Sequence, residues 1–177
     1  MNHKNLRMLL LTALFAALTA VGAFLRIPAG PISFTLQLFF TCMAGILLGP
    51  WWGAVSQLVY LLLGLAGVPI FTEGGGLMYF AKPTFGFLLG LPLTALVVGL
   101  LGRRAAGFWR LLAAGAVGTA VLYAVGLPYL YFTLGGAWSV GKTLVSGCLI
   151  FLPFDAMKII VSALLGVRLV PLLCRRN

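Results

Sequence analysis

Long apolar runs are the feature that most constrains how this chain can fold. Six of them follow one another, at residues 6–25, 34–48, 52–65, 85–101, 111–134 and 143–173. A helix of about 20 apolar residues crosses the hydrocarbon core of a bilayer, and a helix satisfies its own backbone hydrogen bonds there. We therefore predict an all-α integral membrane protein, a compact bundle of six transmembrane helices in which residues 1–177 form a single domain.

The charged residues are few and very unequal in sign. Only 8% of the residues are charged and 62% are hydrophobic, which leaves too few polar side chains to cover a water-soluble domain. The net charge is +10, but eight of the twelve Lys and Arg residues stand near the two chain ends and between the fourth and fifth runs, so they form no single patch suited to nucleic acid. Because loops rich in Lys and Arg stay on the cytoplasmic side, we predict cytoplasmic N and C termini in a multi-pass protein of the plasma membrane.

Two of the connections that face the outside in this orientation lie at residues 26–33 and 67–83. Both are rich in Pro and Gly. Glycine permits sharp turns and a close approach of the backbone to a ligand. A flexible lid over a binding site and an ordinary solvent loop are both compatible with this composition.

An acid and a base lie close together within the sixth apolar run. Asp155 and Lys158 are three positions apart, a spacing that puts both on one face of a helix. Ionisable groups at membrane depth are costly and by default indicate a functional site; the alternative is an ion pair that satisfies only itself. Pro153 interrupts the helix just before Asp155, which favours the functional interpretation.

The second external connection supplies further candidates. Glu73 and Tyr79 lie within it, and Lys82 leads into the fourth run. Together with Asp155 and Lys158 they would give a pocket with hydrogen-bond acceptors, cations and aromatic walls. Such a pocket suits a small amphipathic ligand that has an amide-like head and a carboxylate.

Enzymatic and metal chemistry find little support in the sequence. Residues 136–143 match the phosphate-loop pattern GxxxxGK[ST], but that loop requires a preceding strand and normally a second acidic residue for magnesium, so we interpret the match as chance. His3 is the only histidine, and there is neither a GxSxG motif nor a pair of carboxylates within one short segment. We predict no catalytic residue, no bound metal and no cofactor.

Small residues recur at four-residue spacing in the first run. Two registers are possible, one through Ala13 and Ala17 and the other through Ala16 and Ala20. Such faces let helices approach each other closely in lipid. The sequence does not separate packing inside this bundle from docking against another membrane subunit.

Several segments together resemble the BioY family, the biotin-specific substrate-binding subunits of energy-coupling-factor vitamin transporters. The resemblance spans the chain, and its most specific parts are LLGLAGVPIF at 62–71, PTFGFLLG at 83–90 and LPFDAMK at 152–158. It implies a six-helix bundle that captures biotin, the transported ligand, from the outside, with the first and third loops as lids. It also implies partners, namely a membrane coupling protein and two ATPase subunits, with alanines of the first helix in the docking face.

The resemblance further implies roles for single residues. Asp155 would accept hydrogen bonds from the ureido nitrogens of biotin, Lys158 would help to neutralise the valerate carboxylate, and Tyr79 would line the site. These assignments make the chain a high-affinity biotin-binding subunit. The alternatives are a subunit of the same architecture for another vitamin or for a precursor such as dethiobiotin, and a small intramembrane enzyme.

Two positions depart from the family pattern. Glu73 stands where some relatives carry asparagine, and Phe87 stands where some carry an arginine for the carboxylate. Lys82 is a candidate to compensate for that arginine. Recognition of the carboxylate is therefore the part of the site that the resemblance leaves open.

Overall fold

A computed structural model describes residues 3–29, 32–102, 107–135 and 137–174. The helices are α1 (His3–Phe24), α2 (Gln37–Leu48), α3 (Pro50–Leu65), α4 (Phe85–Gly102), α5 (Phe108–Thr133), α6 (Val140–Leu144) and α7 (Leu152–Cys174). A π-helical turn, Val145–Leu149, continues α6, and a 3₁₀ turn, Leu77–Ala81, precedes α4. In the bundle α4 packs against α2, α3 and α5, while α7 packs against α2 and α5.

The helical membrane class that the apolar runs predict is confirmed. Within the described residues, four helical stretches are long and apolar enough to cross a bilayer: Asn5–Phe24, Phe85–Gly102, Phe108–Thr133 and Val140–Leu172. The helices α2 and α3 are also apolar but contain only 12 and 16 residues. The count of six spans stays a prediction, and so does the orientation, for which Arg103, Arg104, Arg175 and Arg176 lie outside the described residues.

The first connection differs from the predicted loop. It contains an antiparallel hairpin of β1 (Arg26–Ala29) and β2 (Ile32–Thr35), in which Arg26 pairs with Thr35. Phe34, predicted to begin the second helix, therefore lies in β2, and α2 starts at Gln37. Two strands of four residues carry too short an alternating pattern to be told from loop in a sequence this apolar.

The sixth predicted segment is divided into α6, the π-helical turn and α7. Pro153 is the second residue of α7, a position near the helix start where the missing N–H of proline is tolerated. The interruption that Pro153 predicts is thus present. It places Asp155 in the first turn of α7, where the helix dipole favours a negative charge.

Glycine allows α4 and α5 to approach closely. A Cβ atom at Gly126 would lie 2.4 Å from the ring of Phe87, and one at Gly86 would lie 2.3 Å from Cβ of Tyr129. Any larger side chain there would have to displace its neighbour. These contacts fix Phe87 and the adjoining turn of α5 relative to each other.

The two alanine registers of α1 have different environments. Ala16 and Ala20 are buried in the core of this chain, whereas Ala13 and Ala17 are exposed. The structure therefore assigns intramolecular packing to the Ala16 register. The Ala13 register faces away from the bundle.

A buried polar cluster joins the first three helices. Gln57 on α3 accepts a hydrogen bond from the Thr41 hydroxyl (3.0 Å) and donates one to the Thr19 hydroxyl (3.2 Å). These interhelical bonds satisfy an amide that is fully buried, which is the common role of glutamine between helices in lipid. Gln57 is thus structural, and it does not line the cavity described below.

Candidate functional site

A cavity opens at the end of the bundle that carries the hairpin. Its volume is about 680 Å³ when the open space at its mouth is included. Leucine and phenylalanine side chains of α2, α4, α5 and the start of α7 form its apolar walls. Polar groups of the hairpin, of residues 66–84 and of the helix ends face the same space: Ser33, Thr35, Gln37, Thr72, Tyr79 and Thr84.

Asp155 and Lys158 form an ion pair that lines this cavity. The ammonium nitrogen of Lys158 lies 2.7 Å from Oδ1 of Asp155, and both side chains are 9% exposed. The i, i+3 spacing on α7 makes this contact possible, as the sequence predicts. Each charge compensates the other, so the pair adds no net charge to the apolar interior.

Tyr123 completes this buried group from a different helix. Its hydroxyl donates a hydrogen bond of 2.5 Å to Oδ2 of Asp155, and its ring also lines the cavity. Asp155 thus has one donor on each carboxylate oxygen. Sequence reasoning did not single out Tyr123, because a lone tyrosine within an apolar helix gives no signal of a partner 32 positions away.

Tyr79 also lines the cavity and is 3% exposed. Its hydroxyl shares a hydrogen bond of 2.9 Å with the Thr72 hydroxyl. Its ring packs against Phe71, with the ring centroids 4.7 Å apart. The second external connection is therefore folded onto the bundle at this point.

A second contact ties the same connection to the cavity wall. Gln37 donates a hydrogen bond of 2.9 Å to the hydroxyl of Tyr60, which in turn donates to the carbonyl of Ile70 (3.1 Å). Phe71 is buried against Gly64, where a Cβ atom would lie only 2.1 Å from its ring. Residues 66–84 thus form an ordered wall with several anchors.

Glu73 and Lys82 lie elsewhere. Their side chains are 40% and 48% exposed and pair with each other at 2.8 Å, and neither lines the cavity. The hydrogen bond to Glu73 raises the pKa of Lys82. Of the six residues predicted for the site, four (Asp155, Lys158, Tyr79 and Phe87) line the cavity.

Aromatic rings pack together around Phe151, which lines the cavity. Phe34 of β2 packs between Phe151 and Phe154 at the start of α7, with a centroid separation of 4.4 Å to each ring. On the α4 side, Phe87 contacts the ring of Tyr123 edge-on, at 6.3 Å and 89°. Phe87 thus contributes an apolar wall to the cavity.

The segment that matches the phosphate-loop pattern has a different structure. It follows the helix α5, and Lys142 lies 5.0 Å from the ring of Trp138 in a cation–π contact. Gly136 lies outside the described residues. A strand that would lead into a phosphate loop is not found at this point of the described chain.

Within the described part of the chain, no group of three or more His, Cys, Asp or Glu side chains could hold a metal ion. The cavity instead offers a carboxylate with two fixed donors, one ammonium group, several hydroxyls and apolar walls. This set can bind a small molecule by hydrogen bonds and apolar contact.

Comparison with known proteins connects this geometry to one family. Residues 1–175 match the model of the BioY family. A protein of Lysinibacillus sphaericus named "Probable biotin transporter BioY" is 43% identical over 169 residues, 91% of this chain and 85% of that protein. The "Biotin transporter BioY" of Thermotoga maritima is 38% identical over 165 residues, 93% of this chain and 96% of that protein.

A solved structure shares the fold. The crystal structure of the S-component for biotin from an ECF-type ABC transporter matches with a TM-score of 0.84 at 28% sequence identity. The match covers 96% of this chain and 93% of the other. The arrangement of helices around the cavity is therefore common to both proteins.

Proposed function

This chain belongs to the BioY family, and we propose that it captures biotin outside the plasma membrane as the substrate-binding subunit of an energy-coupling-factor transporter. The observation that carries this proposal is the buried group of Asp155, Lys158 and Tyr123 in the wall of an otherwise largely apolar cavity. A BioY protein is a transporter subunit, so the activity is binding and not catalysis.

The buried group is complementary to the head of biotin. A ureido ring carries two N–H donors beside one carbonyl acceptor and has no net charge. The carboxylate of Asp155 can accept from one of the N–H groups, because each of its oxygens keeps a free lone pair after the bonds to Lys158 and Tyr123. The ammonium of Lys158 can donate to the carbonyl. The thioether ring then contacts apolar side chains such as Leu88 and Phe87.

This fit changes the role proposed for Lys158. The resemblance implies that Lys158 meets the valerate carboxylate while Asp155 meets the ureido ring, but these groups lie at opposite ends of biotin. Because the two side chains are only 2.7 Å apart, they favour binding the same end of the ligand. We therefore assign both to the ureido head.

The tail of biotin then extends toward the mouth of the cavity. The hydroxyl groups of Ser33 and Thr84 face this space and can donate to a carboxylate. Lys82, whose ammonium group is bonded to Glu73, would have to leave that partner to reach the tail. Hydroxyl groups and water are thus the proposed partners of the carboxylate.

The membrane orientation follows the positive-inside rule. We propose six spans, with α2 and α3 as the two short ones, cytoplasmic N and C termini, and the cavity opening outward. The hairpin and residues 66–84 then act as the first and third loops over the ligand. The anchors of Phe71 and Tyr79 support a third loop that is already folded before the ligand binds.

Docking to the energising module is assigned to one alanine register. Ala13 and Ala17 are exposed on α1, so they can contact a membrane coupling protein that works with two ATPase subunits. Replacement of Ala17 by Trp should abolish co-purification with that module and leave biotin binding intact. If A17W co-purified as well as the unaltered protein, the docking face would have to lie elsewhere.

The central test is a calorimetric titration of the detergent-purified protein with biotin. We expect saturable binding to one site at about nanomolar affinity, as a buried and hydrogen-bonded small ligand can reach. Dethiobiotin, thiamine and riboflavin serve as competitors, and tighter binding of any of them would favour the alternative vitamin specificity. A titration without saturable biotin binding would overturn the proposal.

A further inference from the structure

Tyr123 stands out among the residues of the cavity because it touches the buried ion pair without belonging to α7. Its hydroxyl lies 2.5 Å from Oδ2 of Asp155, while Lys158 lies 2.7 Å from Oδ1. The two donors approach different oxygens of one carboxylate. The carboxylate plane is thereby held by two helices, α5 and α7, and not by its own helix alone.

A fixed carboxylate is a better acceptor for a ligand than a mobile one. A side chain that is already held in its binding orientation loses less freedom when the ligand arrives. Without the Tyr123 hydroxyl, Asp155 would be fixed only by Lys158, which is on the same helix face and has a long flexible side chain. The second donor therefore decides the direction in which Asp155 offers its remaining lone pairs.

The position of Tyr123 is itself set by the packing of α4 against α5. Phe87 meets the Tyr123 ring edge-on at 6.3 Å, and the ring of Phe87 lies in the space left by Gly126. The hydroxyl is thus positioned by neighbouring rings. Phe87, which departs from the family pattern, contributes to this support.

We propose that Tyr123 is a positioning residue that orients Asp155 toward the head of the ligand and so determines selectivity for that head. The inference rests on the proposed biotin function. It predicts that removal of the Tyr123 hydroxyl changes how much the ligand N–H groups contribute to the affinity. The contribution of the ligand tail should stay the same. A residue with a purely structural role would affect all ligands alike.

The test compares Tyr123→Phe with the unaltered protein against three kinds of ligand: biotin, biotin methylated at one or the other ureido nitrogen, and biotin methyl ester. We expect Y123F to bind biotin about 10- to 100-fold more weakly, the effect of losing one hydrogen bond to a charged group. One of the two N-methyl analogues should bind more weakly than the other. The ratio of the affinity for biotin to the affinity for that analogue should fall by at least about fivefold in Y123F. The preference for biotin over its methyl ester should stay the same.

The matched control is Tyr129→Phe. Tyr129 lies on the same helix, and its hydroxyl donates to the carbonyl of Phe80 outside the cavity lining. Y129F should change neither preference.

Three results separate the possible failures. If the unaltered protein does not bind biotin, the proposed function fails. If it binds biotin and Y123F keeps the same affinity and head preference, Tyr123 has no positioning role while the function stands. An equal loss for all ligands, with a lower melting temperature, would make the role structural and also overturn the inference.

A second measurement tests the inference without the Y123F variant, in case that variant does not fold. The unaltered sequence is prepared with 3-fluorotyrosine at position 123, and its fluorine-19 resonance is followed during a biotin titration. We expect a shift that saturates together with binding. A resonance that does not respond to bound biotin would overturn the inference.

Discussion

Two ion pairs of almost equal length have very different surroundings in this protein. The ammonium group of Lys158 lies 2.7 Å from Asp155, with both side chains 9% exposed, and the ammonium group of Lys82 lies 2.8 Å from Glu73, with side chains 48% and 40% exposed. The first pair has Tyr123 as an additional donor and lines the cavity, whereas the second lies on the surface of the connection before α4.

The distance between two charges therefore does not show how much an ion pair contributes to stability or to ligand binding. Water screens the attraction within an exposed pair. The free energy that remains is offset by the conformational entropy that two long side chains lose. In a buried pair, each charge depends on the other, because removal of one leaves an uncompensated charge among apolar groups. A ligand that reaches the buried pair finds both groups already dehydrated and oriented.

The largest effect is expected from breaking the buried pair. Asp155→Asn and Lys158→Ala should each weaken biotin binding by more than about 100-fold, because each removes a direct contact and leaves its partner unpaired. Calorimetry measures the affinity, and circular dichroism should show the helices retained. Lys142→Ala is the matched control, since Lys142 is exposed against Trp138. Unchanged affinity in both variants would mean that the pair satisfies only itself.

The double variant Asp155→Leu, Lys158→Met sharpens this result. Replacement of both charges by apolar groups of similar volume is often neutral for stability. We therefore expect a melting temperature close to that of the unaltered protein together with no detectable biotin binding. If the double variant bound biotin, the head of the ligand would have to lie elsewhere.

A smaller effect is expected from displacing Phe87, whose ring packs against Tyr123. Gly126→Ala places a Cβ atom 2.4 Å from the ring of Phe87, which should displace Phe87 and Tyr123. Overpacking of this kind costs about 1–3 kcal/mol of stability, and we expect biotin affinity to fall by about tenfold. Gly141→Ala is the control, since a Cβ atom there meets nothing within 4 Å. Equal affinities of the two variants would show that the site tolerates movement of α4.

Removal of the charge on the ligand tail should weaken binding less than the substitutions above. Among the described residues, Lys158 is the one cation that lines the cavity, and it is held by Asp155. A solvated carboxylate with no cation beside it adds little to the binding free energy. The affinity for biotin methyl ester should therefore lie within about fivefold of that for biotin. Competition against labelled biotin measures this ratio. A loss greater than about 100-fold would indicate a cation at the tail, with Lys82 the first residue to test.

The smallest effect is expected from breaking the exposed pair. Glu73→Gln and Lys82→Gln should leave the biotin affinity within about twofold and the melting temperature unchanged, because the pair is solvated and lies outside the cavity lining. The same titration measures both variants. A clear loss in K82Q alone would instead assign Lys82 to the ligand carboxylate.

Much of the fold could be predicted from the sequence because helices in lipid are a local property. The apolar runs predict each main helix within a few residues, and the i, i+3 spacing predicts the contact of Asp155 with Lys158. The hairpin escaped prediction because its two strands of four residues each are too short to show an alternating pattern. Phe34 was placed in a helix for that reason.

The sequence by itself determined the membrane class, the family and the two charged residues on one helix face, since each depends on neighbours along the chain. Only the tertiary structure decided that Tyr123 meets Asp155, that Glu73 and Lys82 meet each other, and that Ala16 and Ala20 turn inward. These contacts depend on how separate helices rotate and pack against one another. That packing is set by side-chain volume at many positions at once, and no short stretch of sequence contains it.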